Sequence, residues 1–289
     1  MIDAHLHLWE KQNGRVNGLP VYDLGGGRSQ FGDVVRQMTP AYMTDGVNSV
    51  ECLLANMDFA QVAGAVVTQE YIDGNQDAYL RRVRAENPIR IRVSALYEEQ
   101  PLGDISWADG IKICAGRLSD PDLTKLEDVF ARAAAEDKFI GLDLADGDTQ
   151  VASLQEMIQQ YPEVRMAIGH FGMVTRPNWQ EQIRLARHKN VFVESGGITW
   201  LFNSEFYPYP SAVRTILEAR DICGMEKLMW GSDYPRTMTA ITYRMSWDFA
   251  DKSPLLTAGE KQLFFHDNAK KFYRFHDLPE MPYVHHMAE

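Results

Sequence analysis

The feature that most restricts this chain is a recurrence: a short apolar run, a helix-sized stretch, then another short apolar run. The runs are IDAHLHLW (2–9), GAVVTQ (64–69), IRIRVSALY (89–97), GIKICA (110–115), FIGLDLA (139–145), VRMAIGHF (164–171), NVFVESG (190–196) and KLMWGSD (227–233). Each is rich in Val, Ile, Leu or Phe, as strands covered on both faces of a parallel sheet must be. Between them, 122–137 places apolar residues at 123, 126, 129, 130 and 133, one face of a 3.6-residue helix. The stretches 150–162, 179–190, 211–224 and 257–275 behave likewise, the first stopping at Pro162 and the third at Gly224. Only 98–108 is too short and broken for a normal helix.

Eight strands alternating with helices predict an α/β protein, a single (β/α)8 TIM barrel. A doubly wound sheet has fewer strands and often a Gly-rich first turn. GGG at 25–27 lacks the GK[ST] of a phosphate loop and follows no strand directly, so it reads as a flexible turn. The expected layout is a barrel over 1–275, a lid-like loop at 10–39 with no clear period, and a tail at 276–289. Such a loop would lie over the C-terminal mouth, where barrels carry their active sites.

The first run holds Asp3, His5, His7 and Trp9 at alternating positions, expected on one face of the strand. Two imidazoles so spaced can reach one metal ion, at about 2.0–2.1 Å each, or one substrate oxygen. An isolated HxH is more often two satisfied core histidines; its place at a strand end before a long loop reverses that balance and favours chemistry. His170 in IGHFG ends the sixth strand, and Asp233 in MWGSDYP ends the eighth. Separately each is a weak signal; together they make one coherent site.

DAHLHLW, IGHFG, MWGSDYP and HDNAKKFY (266–273) together resemble the amidohydrolase superfamily, specifically its amidohydrolase 2 branch, from residue 2 to about 275. Decarboxylase-like members of that branch add a metal-binding histidine on the fifth strand, where this chain offers Asp143. The segment from Gly141 to Gly172 is instead similar to the lactonase-like group, which opens sugar-acid lactones or carboxylated rings such as pyrone dicarboxylate. The resemblance therefore implies a hydrolase of lactone esters, serving carbohydrate metabolism where the ring is a sugar acid. Asp233 would activate water while His5, His7 and His170 polarise the carbonyl, directly or through a divalent metal. His5, His7 and Asp233 would hold that metal, zinc foremost; the branch also has metal-free members, and both options stay open. The alternative is a zinc-dependent decarboxylase acting on an aromatic or unsaturated carboxylic acid.

Glu194 stands where lactonase-like members tend to carry lysine. Lys112 is expected to pair with Asp143 or Glu194 rather than serve as a carbamylated bridging lysine. Strand position nominates further substrate contacts: Gln69 and Tyr71, Tyr97, Lys112, Asp143, Glu194, and the seventh-loop aromatics Trp200, Tyr207 and Tyr209. Arg28, Arg117 and Arg236 could clamp a carboxylate in bidentate fashion.

With 29 basic against 40 acidic residues and a net charge of -11, nucleic acid and anionic membranes are poor partners. No apolar run approaches the roughly 18 residues of a membrane span. Three scattered cysteines without C-x-x-C indicate neither a zinc ribbon nor a disulfide framework. Met1 and Ile2 run straight into DAHLHLW, unlike a secretory leader. The expectation is a cytoplasmic enzyme whose partner is a small molecule, with homo-oligomerisation left open.

Overall fold

The computed structural model describes all 289 residues. Its parallel barrel strands are β1 (Ile2–Leu6), β6 (Gly64–Val67), β7 (Ile91–Leu96), β8 (Gly110–Ile113), β9 (Phe139–Leu142), β10 (Met166–Ile168), β11 (Val191–Glu194) and β12 (Leu228–Met229). They neighbour one another in that order. The ring closes where Ala4 donates to the Trp230 carbonyl at 2.9 Å and Asp233 donates to the His5 carbonyl at 2.8 Å. Around it lie α1 (Val50–Ala60), α2 (Asp77–Glu86), α3 (Glu127–Ala135), α4 (Val151–Gln160), α5 (Trp179–Arg184), the short α6 (Ile198–Leu201), α7 (Pro210–Cys223), α8 (Met245–Asp251), α9 (Ala258–Gln262) and α10 (Asn268–Phe272). This is the expected (β/α)8 barrel. The third unit lacks its helix, as the broken 98–108 stretch requires; turns carry the chain from β7 to β8.

One backbone irregularity sets the site. Asp3 pairs with Ala65 and Leu6 with Val67, so three steps on β1 match two on β6, a β-bulge. Ile2 and Ala4 join the barrel-floor cluster with Val66, Phe192 and Met229, whereas Leu6 and Leu8 belong to the outer layer beneath the helices. The face expected to unite Asp3 with His5 and His7 is thereby broken. Asp3 accepts from the Tyr243 hydroxyl at 2.8 Å, the Ser232 N–H at 2.9 Å and the His5 backbone N–H at 3.1 Å, and bonds neither imidazole. Burial raises its carboxyl to about 6, against the pull of those hydrogen bonds.

Aromatic residues plug the floor: Phe139, Phe192, Phe272, Tyr273 and Phe275 share that cluster. Arg92 stitches it by donating to the carbonyls of Tyr273 and Arg274 at 3.3 and 3.0 Å.

At the other end, residues 10–39 are not an irregular lid. They hold β2 (Arg15–Val16), β3 (Leu19–Asp23), β4 (Arg28–Phe31) and β5 (Val34–Gln37), an antiparallel four-stranded sheet. The strands are too short to leave a period, and glycines make the turns. GGG is a fixed corner rather than a flexible one: Gly27 has φ +72°, and a Cβ there would meet the Thr39 carbonyl at 2.2 Å. The excursion leaves and re-enters the barrel at one point, where Trp9 and Asn48 exchange backbone hydrogen bonds of 3.1 and 3.0 Å. Residues 276–289 contain neither helix nor strand.

Candidate active site

The bulge turns His5 and His7 inward at the end of β1. His5 Nδ1 lies 2.6 Å from Glu194 Oε1, and His5 Nε2 lies 3.2 Å from His7 Nε2. His7 Nε2 lies 2.9 Å from Asp233 Oδ1, and the Trp200 indole donates to Asp233 Oδ2 at 2.7 Å. His170 stacks obliquely on His5 with ring centres 4.6 Å apart. Its Nδ1 lies 2.8 Å from the Gly196 carbonyl, which can only accept, so Nδ1 carries a proton. Its Nε2 faces Asp143 Oδ2 at 3.7 Å. The four residues singled out from sequence thus converge. Strands from opposite ends of the chain become neighbours when the ring closes.

Their electrostatics differ sharply. Burial, helped by the adjacent Arg236 cation, pushes His7 down to about 3, so it is neutral near pH 7. Burial would lower His170 as well, but Asp143, then Asp233 and Glu194, lift it to about 10 and keep it cationic. Burial would raise Asp233; the His7 hydrogen bond and the Arg236 and His170 charges outweigh it and hold the carboxyl below its usual range.

A cavity of about 740 Å³ opens over this group. His7, His170, Asp233, Asp143, Trp200 and Arg236 line it. Arg236 is anchored from behind: Nη2 donates to both Asp73 oxygens at 2.8 and 2.7 Å, and the guanidinium sits over Trp9. Its Nη1 is buried without a hydrogen-bond partner, 4.0 Å from Asp233 Oδ1. Arg117, paired with Glu70 at 3.0 Å, and Arg36 of β5 add two more guanidinium groups to the wall.

Several nominated contacts lie elsewhere. Gln69 is spent on Asp77, the Ser94 carbonyl and the Gln76 N–H. Tyr71 donates to the Tyr97 carbonyl, and neither ring lines the cavity. Lys112 is buried against Asp143 at 2.6 Å, and Glu194 sits behind His5. Tyr209 packs in the core against Phe249, with Tyr207 beside it. Arg28 is exposed and bonded to its own turn. Sequence reading missed Arg36, Asp73 and Glu70. Nothing local marks Arg36, because only the excursion's fold brings β5 to the mouth.

His5, His7 and Asp233 each offer one ligand atom, all within 4.8 Å of one another. His5 turns Nδ1 to Glu194, which leaves Nε2 facing His7 and Asp233. Two nitrogens bound to one tetrahedral zinc ion are separated by about 3.3 Å, given bonds of about 2.0–2.1 Å. The observed 3.2 Å between the two Nε2 atoms therefore fits a divalent ion.

A family model described as amidohydrolase matches residues 2–275. The uncharacterized protein y4mH of Sinorhizobium fredii is 28% identical over 136 residues, which cover 43% of this chain and 44% of that one. The match thus spans less than half of that relative. A probable 2-pyrone-4,6-dicarboxylic acid hydrolase of Acinetobacter baumannii, crystallised with citric acid, superposes with TM-score 0.71 at 17% identity, covering 95% of this chain and 99% of that one. A zinc-bound amidohydrolase of Burkholderia multivorans gives TM-score 0.67 at 17% identity over the same shares. At such identities the superpositions speak for the fold alone.

Proposed function

The chain belongs to the amidohydrolase family, and on that premise we propose that it hydrolyses a lactone ring carrying a carboxylate. One observation carries the reading: Asp233 and the cationic His170 line the same cavity as Arg36, Arg117 and Arg236, and although Glu70, Asp143 and Asp146 share that wall, Arg36 is in no ion pair and Arg236 leaves Nη1 unbonded. The arginines suit an anionic substrate, against the overall field. The Acinetobacter relative, with its citric acid, agrees with a carboxylated ligand.

Water attacks the lactone carbonyl carbon and gives its proton to Asp233. A carboxylate has about four acceptor positions, and His7 and Trp200 occupy one on each oxygen, so room remains for water. The carbonyl oxygen gains negative charge as the C–O bond forms, and the His170 cation at the cavity wall stabilises it. When the ring C–O bond breaks, the proton held by Asp233 passes to the leaving alkoxide, and a hydroxy acid results. A divalent ion on His5, His7 and Asp233 would, when bound, act as a Lewis acid and lower the pKa of its water. Trp200 keeps the Asp233 carboxylate from rotating, and Arg236, fixed by Asp73, holds its charge beside Asp233, with Nη1 at 4.0 Å.

The test is proton release, read with a pH indicator, against carboxylated lactones, neutral sugar lactones and sugar-acid lactones. Rapid release with carboxylated rings, reduced at least about 10³-fold in Asp233→Asn, is expected. Release with neutral rings only would overturn the arginine argument. Silence across the panel, with carbon dioxide evolved from unsaturated acids, would establish the decarboxylase instead.

A further inference from the structure

We infer that Glu194 is a positioning residue: it fixes which ring nitrogen of His5 carries the proton, and so where the first-strand pair can direct a lone pair. The inference rests on reading His5 and His7 as the working imidazoles of the site. Glu194 ends β11, is 3% exposed, and contributes nothing to the cavity wall. Its two oxygens are engaged by backbone donors. Oε1 accepts from His170 N–H at 3.2 Å, and Oε2 accepts from Gly196 N–H at 2.5 Å. The remaining contact, His5 Nδ1 at 2.6 Å from Oε1, must then be donated by His5. With the proton at Nδ1, Nε2 presents its lone pair toward His7 and Asp233.

The space around this carboxylate is reserved by absent side chains on three strand ends. A Cβ on Gly169 would come 2.8 Å from Oε1, and one on Gly196 or Gly231 would come 2.8 or 2.9 Å from Oε2. The carboxylate fits between these strand ends because all three positions lack a side chain. An amide cannot replace it. In Glu194→Gln the NH2 end must face Gly196 N–H, or else face His5 and His170 N–H. Because the Gly196 contact, at 2.5 Å, is shorter than the His170 contact at 3.2 Å, the amide keeps its oxygen on Gly196 N–H; its NH2 end then meets His5, which moves its proton to Nε2 and accepts at Nδ1, and only the longer His170 contact is lost. The lone pair then leaves the site, although the shape of residue 194 is unchanged. Groups behind metal-binding histidines act in this way, and their loss costs 10- to 100-fold in ion affinity.

The experiment uses the full chain labelled with 15N-histidine, stripped of metal, with the His5 signals assigned by their loss in His5→Gln. Long-range 1H–15N spectra should show an Nδ1–H tautomer for His5 in the wild type and in Glu194→Asp, which keeps two acceptors. Glu194→Gln should show the Nε2–H form. Zn2+ titration by calorimetry should weaken about 10- to 100-fold in Glu194→Gln and less than that in Glu194→Asp. An unchanged Nδ1–H tautomer in Glu194→Gln, with Zn2+ affinity within about twofold, overturns the inference. If Glu194→Gln does not fold, the wild-type and Glu194→Asp spectra decide, and an Nε2–H tautomer in either refutes it. A wild type that opens no lactone but keeps the Glu194-dependent tautomer would sink the proposed reaction and leave this inference standing.

Discussion

Replacing Lys112 with methionine tests whether the polar interior of the barrel is held by mutual neutralisation. Lys112 Nζ lies 2.6 Å from Asp143 Oδ1, with side chains only 2% and 14% exposed. At an effective dielectric of about 20 that separation is worth about 6 kcal/mol of attraction. Desolvation of two ions, several kcal/mol each, cancels most of it. Deleting one partner is different: it leaves the Asp143 charge buried beside His170 alone, at a cost of about 3–5 kcal/mol. The pH dependence has a definite sign. Burial would raise Asp143, but Lys112 and then His170 hold its carboxyl well below the usual range. In the wild type the carboxylate therefore contributes stability above about pH 4, lost only as pH falls through the depressed value. In Lys112→Met the carboxyl rises and protonation relieves the buried charge. The gap to wild type, about 3–5 kcal/mol at pH 7, should narrow by pH 5. Lys112→Met/Asp143→Asn should recover to within about 1–2 kcal/mol of wild type. Urea unfolding followed by tryptophan fluorescence, at both pH values, reads this out. A gap below about 1 kcal/mol at pH 7, no narrowing at pH 5, or a double variant as unstable as the single would refute the reasoning.

Arg236→Ala should raise KM for a carboxylated lactone about 10- to 100-fold with a smaller change in kcat, equivalent to one charge-assisted hydrogen bond of about 1.5–3 kcal/mol. Arg236→Lys should recover little of this, because an ammonium bound to Asp73 offers no second nitrogen in the place of Nη1; equal losses with neutral rings would contradict the assignment. Native protein at pH 8 should give one fast equivalent with Ellman's reagent, from the exposed Cys52, and three after denaturation. Burial pushes the Cys223 thiol up to about 12 and Cys114 well above its ordinary value, so two fast native equivalents would show that one of these sites opens. Gly169→Ala places a Cβ 2.2 Å from Asp143 Oδ1 and should lower stability by about 1–3 kcal/mol. Gly103→Ala, with nothing within 4 Å, should leave the thermal midpoint unchanged.

The barrel was legible because parallel strands buried on both faces must be continuous apolar runs, and eight such runs leave few architectures. His5, His7, His170 and Asp233 were legible because strand ends in a barrel share one mouth. The break between Asp3 and His5 was not, since a bulge is a property of pairing rather than of composition. Glu194 and Lys112 were rightly placed on inner strand ends, but their depth was misjudged. Alternation says which face a side chain takes and not whether a neighbour stands between it and the cavity. Arg36 and Asp73 could not be found at all. Each acquires its neighbours through contacts distant in sequence, Asp73 across 163 residues to Arg236.

The single Trp9–Asn48 gateway has a consequence for how such a protein can change. Everything between those residues is a cassette whose two ends are already tied together, so its length can vary at a cost that grows only with the logarithm of the loop. The cassette delivers Arg36, Gln37 and Met38 to the cavity wall, whereas Asp233 and His170 come from the barrel. On the proposed reading, substrate preference can therefore be rewritten by exchanging one stretch of chain, while Asp233 and His170 are inherited intact.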